Sequence, residues 1–457
     1  MRQHGQNRHH AKRLLTLGLP LVGSHLAQFA ITLTDALMLG WYNVDALAAE
    51  VLGGTLFFVI FIMGSGFAFA VMPMVASAQA SGQETQVRRV TRMGCWASIA
   101  FGVVILPLTY FSESLFLALG QDVGISAMAG QYLSIVGFVI IPALLVMVFK
   151  SCLAALERTH VVLWVTLGAV ALNVVVNYLL IFGNMGFPEL GIVGAAIASA
   201  TVTTASLLGL AIYVAFALPE HAMFTRVWRP DWEALRDVFR LGWPIGMTNL
   251  AEVGLFAASS IMMGWLGTVQ LAAHGIALQI ASITFMIHLG LSNAATVRAG
   301  QAYGTGDTRS LKDGAKVAVA MSLGVAALTM IVFFTVPEFL IGTFMSPTEP
   351  QRGAVIAIGV WLLAAAALFQ LVDAGQVMAL GLLRGVQDTR VPMIIAAFSY
   401  WGIGIPVSYV FGFTLGYGGV GIWLGLALGL AFAAVFMLAR FWLWLQRHAK
   451  GGPATGV

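Results

Sequence analysis

Asp35, Glu252 and Asp373 each interrupt a stretch of chain apolar enough and long enough to cross a bilayer. A carboxylate in hydrocarbon is costly unless it is paired, protonated or facing a water-filled cavity, so each one marks a candidate functional site. Desolvation favours the uncharged form of a carboxyl group, which can then hold a proton near neutrality and release it when a cation arrives. The same group therefore suits H+, Na+ or a cationic solute. Competition for one site is what ion-coupled exchange requires, because each ligand must weaken the other.

Other polar residues fall close to these acids in the pattern. Gln28, seven residues before Asp35, shares its helix face. Asn173 and Asn177 are spaced i, i+4, so their carboxamides can serve a hard cation or a neighbouring carboxylate, or equally bond between helices. Thr201 carries a weaker signal, since it, Thr203 and Thr204 can bond their own helix backbone. Glu252 lies between Asn249 and Phe256, each about one turn away, and Asp373 lies between Gln370 and Gln376. No Lys or Arg falls near the middle of an apolar segment, so neither acid is expected to find an intramembrane cation. Glu50, near Asp45, is expected to be solvated at a helix N-terminus. His25, His274 and His288 are candidate proton relays, although histidines satisfied by helix packing are commoner.

Helices must carry these residues. The 457 residues are 59% hydrophobic and 9% charged, against roughly 25% charged in a soluble domain, which indicates an integral membrane protein. A formal charge of +4 is too small to suggest nucleic acid as a partner. Windows of about 20 apolar residues predict twelve helices, near 14–40, 46–72, 91–111, 126–149, 160–183, 191–217, 238–265, 270–297, 315–336, 353–382, 391–412 and 418–445. The first apolar stretch is too long for a signal peptide and is expected to be retained. With both termini cytoplasmic, all of the 23 Lys and Arg except Arg352 fall on the inside. Cys95 and Cys152 have neither disulfide-framework nor metal-like spacing.

The chain also repeats itself. Leu17-Gly18-Leu19-Pro20, Met38-Leu39-Gly40-Trp41 and Leu47-Ala48-Ala49 reappear as Leu241-Gly242-Trp243-Pro244, Met262-Met263-Gly264-Trp265 and Leu271-Ala272-Ala273, a constant offset of 224. Glu252 then stands where Gln28 stands in the first copy. An even number of helices per copy makes the repeats parallel, about an axis along the membrane normal, an architecture of alternating-access carriers. The expected fold is all-α, with twelve transmembrane helices in two pseudo-symmetric six-helix lobes: 1–218, a cytoplasmic linker at 219–237, and 238–457.

No phosphate loop, GxSxG, HExxH or metal-spaced His and Cys set is present, so enzyme activity is not expected. The ordered set of Pro20, Gln28, Asp35, Met38-Leu39-Gly40, Leu47-Ala48-Ala49, Glu252, Asp373-Ala374-Gly375-Gln376-Val377, Leu383-Arg384-Gly385 and Asp388-Thr389 resembles the multidrug and toxic compound extrusion (MATE) transporters, NorM-like branch. The resemblance implies a monomer of the bacterial inner membrane that exports organic cations in exchange for Na+ or H+, with no cofactor. Carried over by position, it implies one cation site at Glu252 and Asp373 and another at Asp35, Asn173, Asn177 and Thr201, with Na+ a candidate occupant of the same carboxylates. Gln28, Phe369, Gln370 and Gln376 would support these sites. Phe369 stands where many relatives have Tyr, and Asn177 where several have Asp, which removes a hydroxyl and a charge. A lipid-linked saccharide flippase is the alternative reading, ahead of an intramembrane enzyme or a passive channel.

Overall fold

The computed structural model describes residues 2–449, with side chains from residue 8 to 448. Among the basic residues counted above, Lys450 and the side chain of Arg2 lie outside the described residues. Within them, twelve helices are long and apolar enough to cross a membrane. They are α1 (Arg8–Tyr42), α2 (Val44–Ala80), α3 (Glu84–Tyr110), α4 (Val123–Ala155), α5 (Thr159–Phe182), α6 (Gly191–Ala217), α7 (Trp232–Leu266), α8 (Thr268–Gly304), α9 (Thr308–Thr335), α10 (Arg352–Gly385), α11 (Arg390–Thr414) and α12 (Gly418–His448). All twelve expected helices are present. Several extend past their apolar windows, because a helix continues into the polar interface whereas a hydropathy window ends with the hydrocarbon. Thus α3 starts early enough to include Arg88 and Arg89, and α7 takes in the end of the central connector.

Two short helices, Ser112–Ala118 and Pro337–Gly342, follow the third helix of each copy and carry no apolar signature of their own. Only Asn43 separates α1 from α2, and its side chain accepts from the amides of Asp45 and Ala46, capping the second helix. Proline lies inside α1, α2, α3, α4 and α7.

The chain divides into two compact units, one of Gly23–Gly246 and the other of Met1–Val22 with Met247–Val457. Both divisions fall two residues beyond a repeat-related proline, Pro20 or Pro244, and therefore keep the same offset. In the Gly23–Gly246 unit, Leu39, Ala49, Leu133, Ile181 and Ala196 share one fully buried cluster. Here α2 also meets the first part of α7 backbone to backbone: a Cβ on Gly66 would collide with the carbonyl of Gly242 and the amide of Gly246. Small residues four apart permit this approach in lipid, where dispersion and polar contacts replace the hydrophobic drive.

The other unit is built around α10, which packs most extensively on α8 and α12. Gly381 and Gly385 lie against Ser292, Thr296 and Ala299 of α8. Ser292 donates to the carbonyl of Val377 at 2.7 Å, and Thr296 to that of Gly381 at 2.9 Å. The eleventh helix is irregular, with π-helical turns at Phe398–Gly404 and Val410–Thr414. Ser408, between them, donates to the carbonyl of Ile422 on α12, against which Gly425 allows close contact.

Gly66→Ala is expected to destabilise the protein by about 1–3 kcal/mol through overpacking against backbone that cannot yield. Gly168→Ala, where an added methyl meets open space, should not. Thermal unfolding of the two variants in detergent checks this, and equal midpoints would refute it.

Candidate functional site

In the Gly23–Gly246 unit, α1 and α5 bring Asp35, Asn173 and Asn177 together. Asp35 is buried, and one of its oxygens, Oδ1, accepts from Nδ2 of Asn173 at 2.8 Å and from Nδ2 of Asn177 at 2.5 Å. Both asparagines are fully buried, and their own Oδ1 atoms have no donor. A carboxylate only accepts, so each amide must present its nitrogen to Asp35 and turn its oxygen elsewhere.

One expectation about this site is corrected, and two further residues lie apart from Asp35. Glu50, expected to be solvated, is buried on α2 within electrostatic reach of Asp35, and Tyr132 on α4 lies within reach of both. Burial follows from the apolar cluster that α2 joins at Ala46 and Ala49, a tertiary effect that the neighbouring Asp45 concealed. Thr201 is exposed and bonds the carbonyl of Ile197 in its own helix, without touching Asp35. Gln28 is also exposed, and accepts from Lys150 at 3.5 Å rather than joining Asp35.

The second cluster lies in the other unit, on α7, α10 and α11. Asp373 is 1% exposed, and its Oδ1 has no partner; Glu252 Oε1 is likewise buried and bare. The two acids act on each other electrostatically. Contrary to expectation, Glu252 does have a cation within reach: Arg384 acts on it electrostatically and donates to Asn249 Oδ1 at 2.8 Å. Arg384 belongs to the last turn of α10, and its long side chain extends from there to α7.

Gln370 and Gln376 flank Asp373 and are fully buried. Gln370 donates to the carbonyl of Ala281 at 3.3 Å, and Gln376 donates to the hydroxyl of Tyr400 at 2.5 Å. Their Oε1 atoms are bare. All four carboxamides beside the acids thus spend their nitrogens within the protein and leave their oxygens unpaired. A buried carboxylate oxygen without a donor, as at Asp373 and Glu252, suits a proton or a hard cation.

Tyr400 was not anticipated. It is fully buried, sits in the first π-helical segment of α11, and lies within electrostatic reach of Glu252, Asp373 and Arg384. Phe369 instead forms an aromatic wall, edge-on to Phe256 at 5.9 Å and to Trp423 at 5.5 Å.

The histidines are held by packing partners. Trp423 donates to His274 Nδ1 at 3.1 Å, leaving its Nε2 facing Ser260 at 3.1 Å. His288 Nδ1 meets Ser322 at 3.0 Å, and Ser322 donates on to the carbonyl of Ala374. No group of three or more His, Cys, Asp or Glu is arranged to hold a metal ion among the described residues.

Two segments, residues 20–179 and 244–410, match the MatE family. The chain belongs to that family. Each matched segment begins at one of the repeat-related prolines, Pro20 or Pro244. Among relatives, a probable multidrug resistance protein NorM of Rhizobium meliloti is 46% identical over 98% of this chain and 96% of its own length. One of the same name from Agrobacterium fabrum is 45% identical over 96% of this chain and 95% of its own. The fold agrees with that of the eukaryotic MATE transporter AtDTX14, at a TM-score of 0.87 and 17% identity over 97% of this chain and 98% of that one.

Tyr400→Phe is expected to leave the Gln376 amide without its acceptor and to lower stability by about 1–3 kcal/mol. Thermal unfolding of the purified protein measures this; an unchanged midpoint would show that the bond contributes nothing.

Proposed function

We propose that this MATE-family chain is a secondary antiporter of the bacterial inner membrane that exports organic cations or drugs in exchange for Na+ or H+. The observation that carries this reading is the pair of buried acid clusters, one in each compact unit, with Asp373 and Glu252 each keeping a buried oxygen that has no donor. Near full-length identity to proteins named as probable multidrug resistance proteins supports the substrate class. No cofactor enters the mechanism, and the chain acts as a monomer with both termini cytoplasmic.

Asp373 and Glu252 hold the coupling ion in one state and yield it to the cationic solute in the other. Arg384 tempers the negative charge of Glu252, so Asp373 is the acid with the less compensated charge. Asp35 offers a second ion site, with Asn173 and Asn177 orienting its carboxylate and Glu50 adding a second negative group. Alternating access follows if the empty and loaded forms of these sites favour different conformations, because an ion can shift the equilibrium only by its difference in affinity for the two. Phe256, Phe369 and Trp423 pack edge-on into an aromatic cluster, buried at Phe369 and Trp423 and one turn of α10 from Asp373, that backs this site.

Asp373→Asn and Glu252→Gln are expected to reduce ion-driven efflux of a cationic dye from proteoliposomes by about tenfold or more, the loss of at least 1.4 kcal/mol of coupling, while the protein remains folded. Undiminished efflux in Asp373→Asn would remove the central claim. Imposing Na+ and proton gradients separately on the wild type identifies the coupling ion.

A further inference from the structure

The central connector and the start of α3 border an open cavity of about 920 Å3 lined by Arg88, Arg89, Arg92, Arg226 and Arg229. All of these residues belong to the Gly23–Gly246 unit. Two carboxylates also line it, and both are engaged chiefly by Arg89, with Arg92 4.0 Å from Asp231. Arg89 donates to both oxygens of Asp231, at 2.5 and 3.0 Å, and to Glu233 at 2.7 Å. Those hydrogen bonds from Arg89 hold the Asp231 carboxyl below the usual carboxylate range, so it stays ionised and engaged at neutral pH.

The cavity is rigidly framed. Trp96 of α3 donates to the carbonyl of Val227 at 2.9 Å, and Arg92 to that of Arg226 at 3.3 Å. Arg226 itself adopts a left-handed backbone conformation, φ 51°, that a non-glycine residue rarely holds without such support. Meanwhile the side chains of Arg88, Arg226 and Arg229 make no hydrogen bond or ion pair among the described residues, and Arg92 Nε is buried without a partner.

An inward bias of basic residues accounts for arginine in these loops. It does not account for their convergence on one cavity from two separate segments, nor for a buried guanidinium nitrogen left without an acceptor. Several forked donors aimed at one space match the oxygens of a phosphate group better than a single carboxylate. Trp228 and Trp232, 76% and 71% exposed, stand beside the cavity in the manner of residues that lie at headgroup level. We propose that this cavity is a phosphate-binding site at the membrane surface, filled by the headgroup of an anionic phospholipid or by free phosphate.

Native mass spectrometry of the purified full chain in detergent, offered phosphatidylglycerol or phosphatidylcholine, tests it. The wild type is expected to retain phosphatidylglycerol in preference to phosphatidylcholine. The triple variant Arg88→Gln, Arg226→Gln, Arg229→Gln should lose about tenfold or more of that retention. The variant Arg309→Gln, Lys312→Gln, Lys316→Gln removes as much charge from another loop and should retain the lipid. Adding inorganic phosphate separates the sources: displacement of the lipid at low millimolar phosphate identifies free phosphate as a sufficient ligand, and resistance identifies the lipid headgroup. Equal retention by the wild type and the Arg88/Arg226/Arg229 variant, or no preference for the anionic lipid, would overturn the proposal.

Discussion

Every polar group placed within a bilayer must find its partner inside the protein, since lipid offers none. Twelve helices meet that demand for the backbone, and serines and threonines meet it by bonding carbonyls of their own or a neighbouring helix. The acids are different. Asn173 and Asn177 give their nitrogens to Asp35, Gln370 and Gln376 give theirs to Ala281 and Tyr400, and all four oxygens are left without a donor. Burial cost, which normally argues against an acid, is what marks these carboxylates as candidate sites for a positive ligand.

The duplication copies the scaffold more faithfully than the chemistry. Prolines, short third-to-fourth-helix connections and unit boundaries recur at nearly constant spacing. The acids do not: Glu252 stands opposite Gln28, which is exposed and turned toward Lys150. One cluster consists of two acids without an arginine, and the other has Arg384 within reach of one of its acids. The two clusters therefore differ in their balance of charge.

Much of this was legible in the chain alone, for a physical reason. Membrane helices announce themselves by length and hydropathy, so all twelve were recovered with errors only where helices outrun their apolar windows. Asp35, Glu252 and Asp373 stood out because they violate the same solvent rule, whereas the spacing of the asparagines left open whether they serve a ligand or bond between helices, and the structure turns both amides onto Asp35. What failed was anything that depends on how far a side chain reaches or which face a tertiary neighbour covers. Arg384 looked terminal but reaches α7; Glu50 looked solvated but is buried on α2; Thr201 is exposed and bonds the carbonyl of Ile197 in its own helix. Tyr400 was hidden for a further reason, because no hydropathy pattern reveals that a helix will widen into a π turn.

That widening has a consequence for how the acid cluster is assembled. A π turn accommodates one residue more than an α turn, and absorbing it would rotate the helix beyond by about 100°. Tyr400 lies within such a turn, and a second follows at Val410–Thr414. The supply of a hydroxyl to Gln376 and the winding of α11 are therefore a single variable: the helix cannot be rewound without withdrawing the tyrosine, and the tyrosine cannot be withdrawn without reshaping the contact that α11 makes with α12.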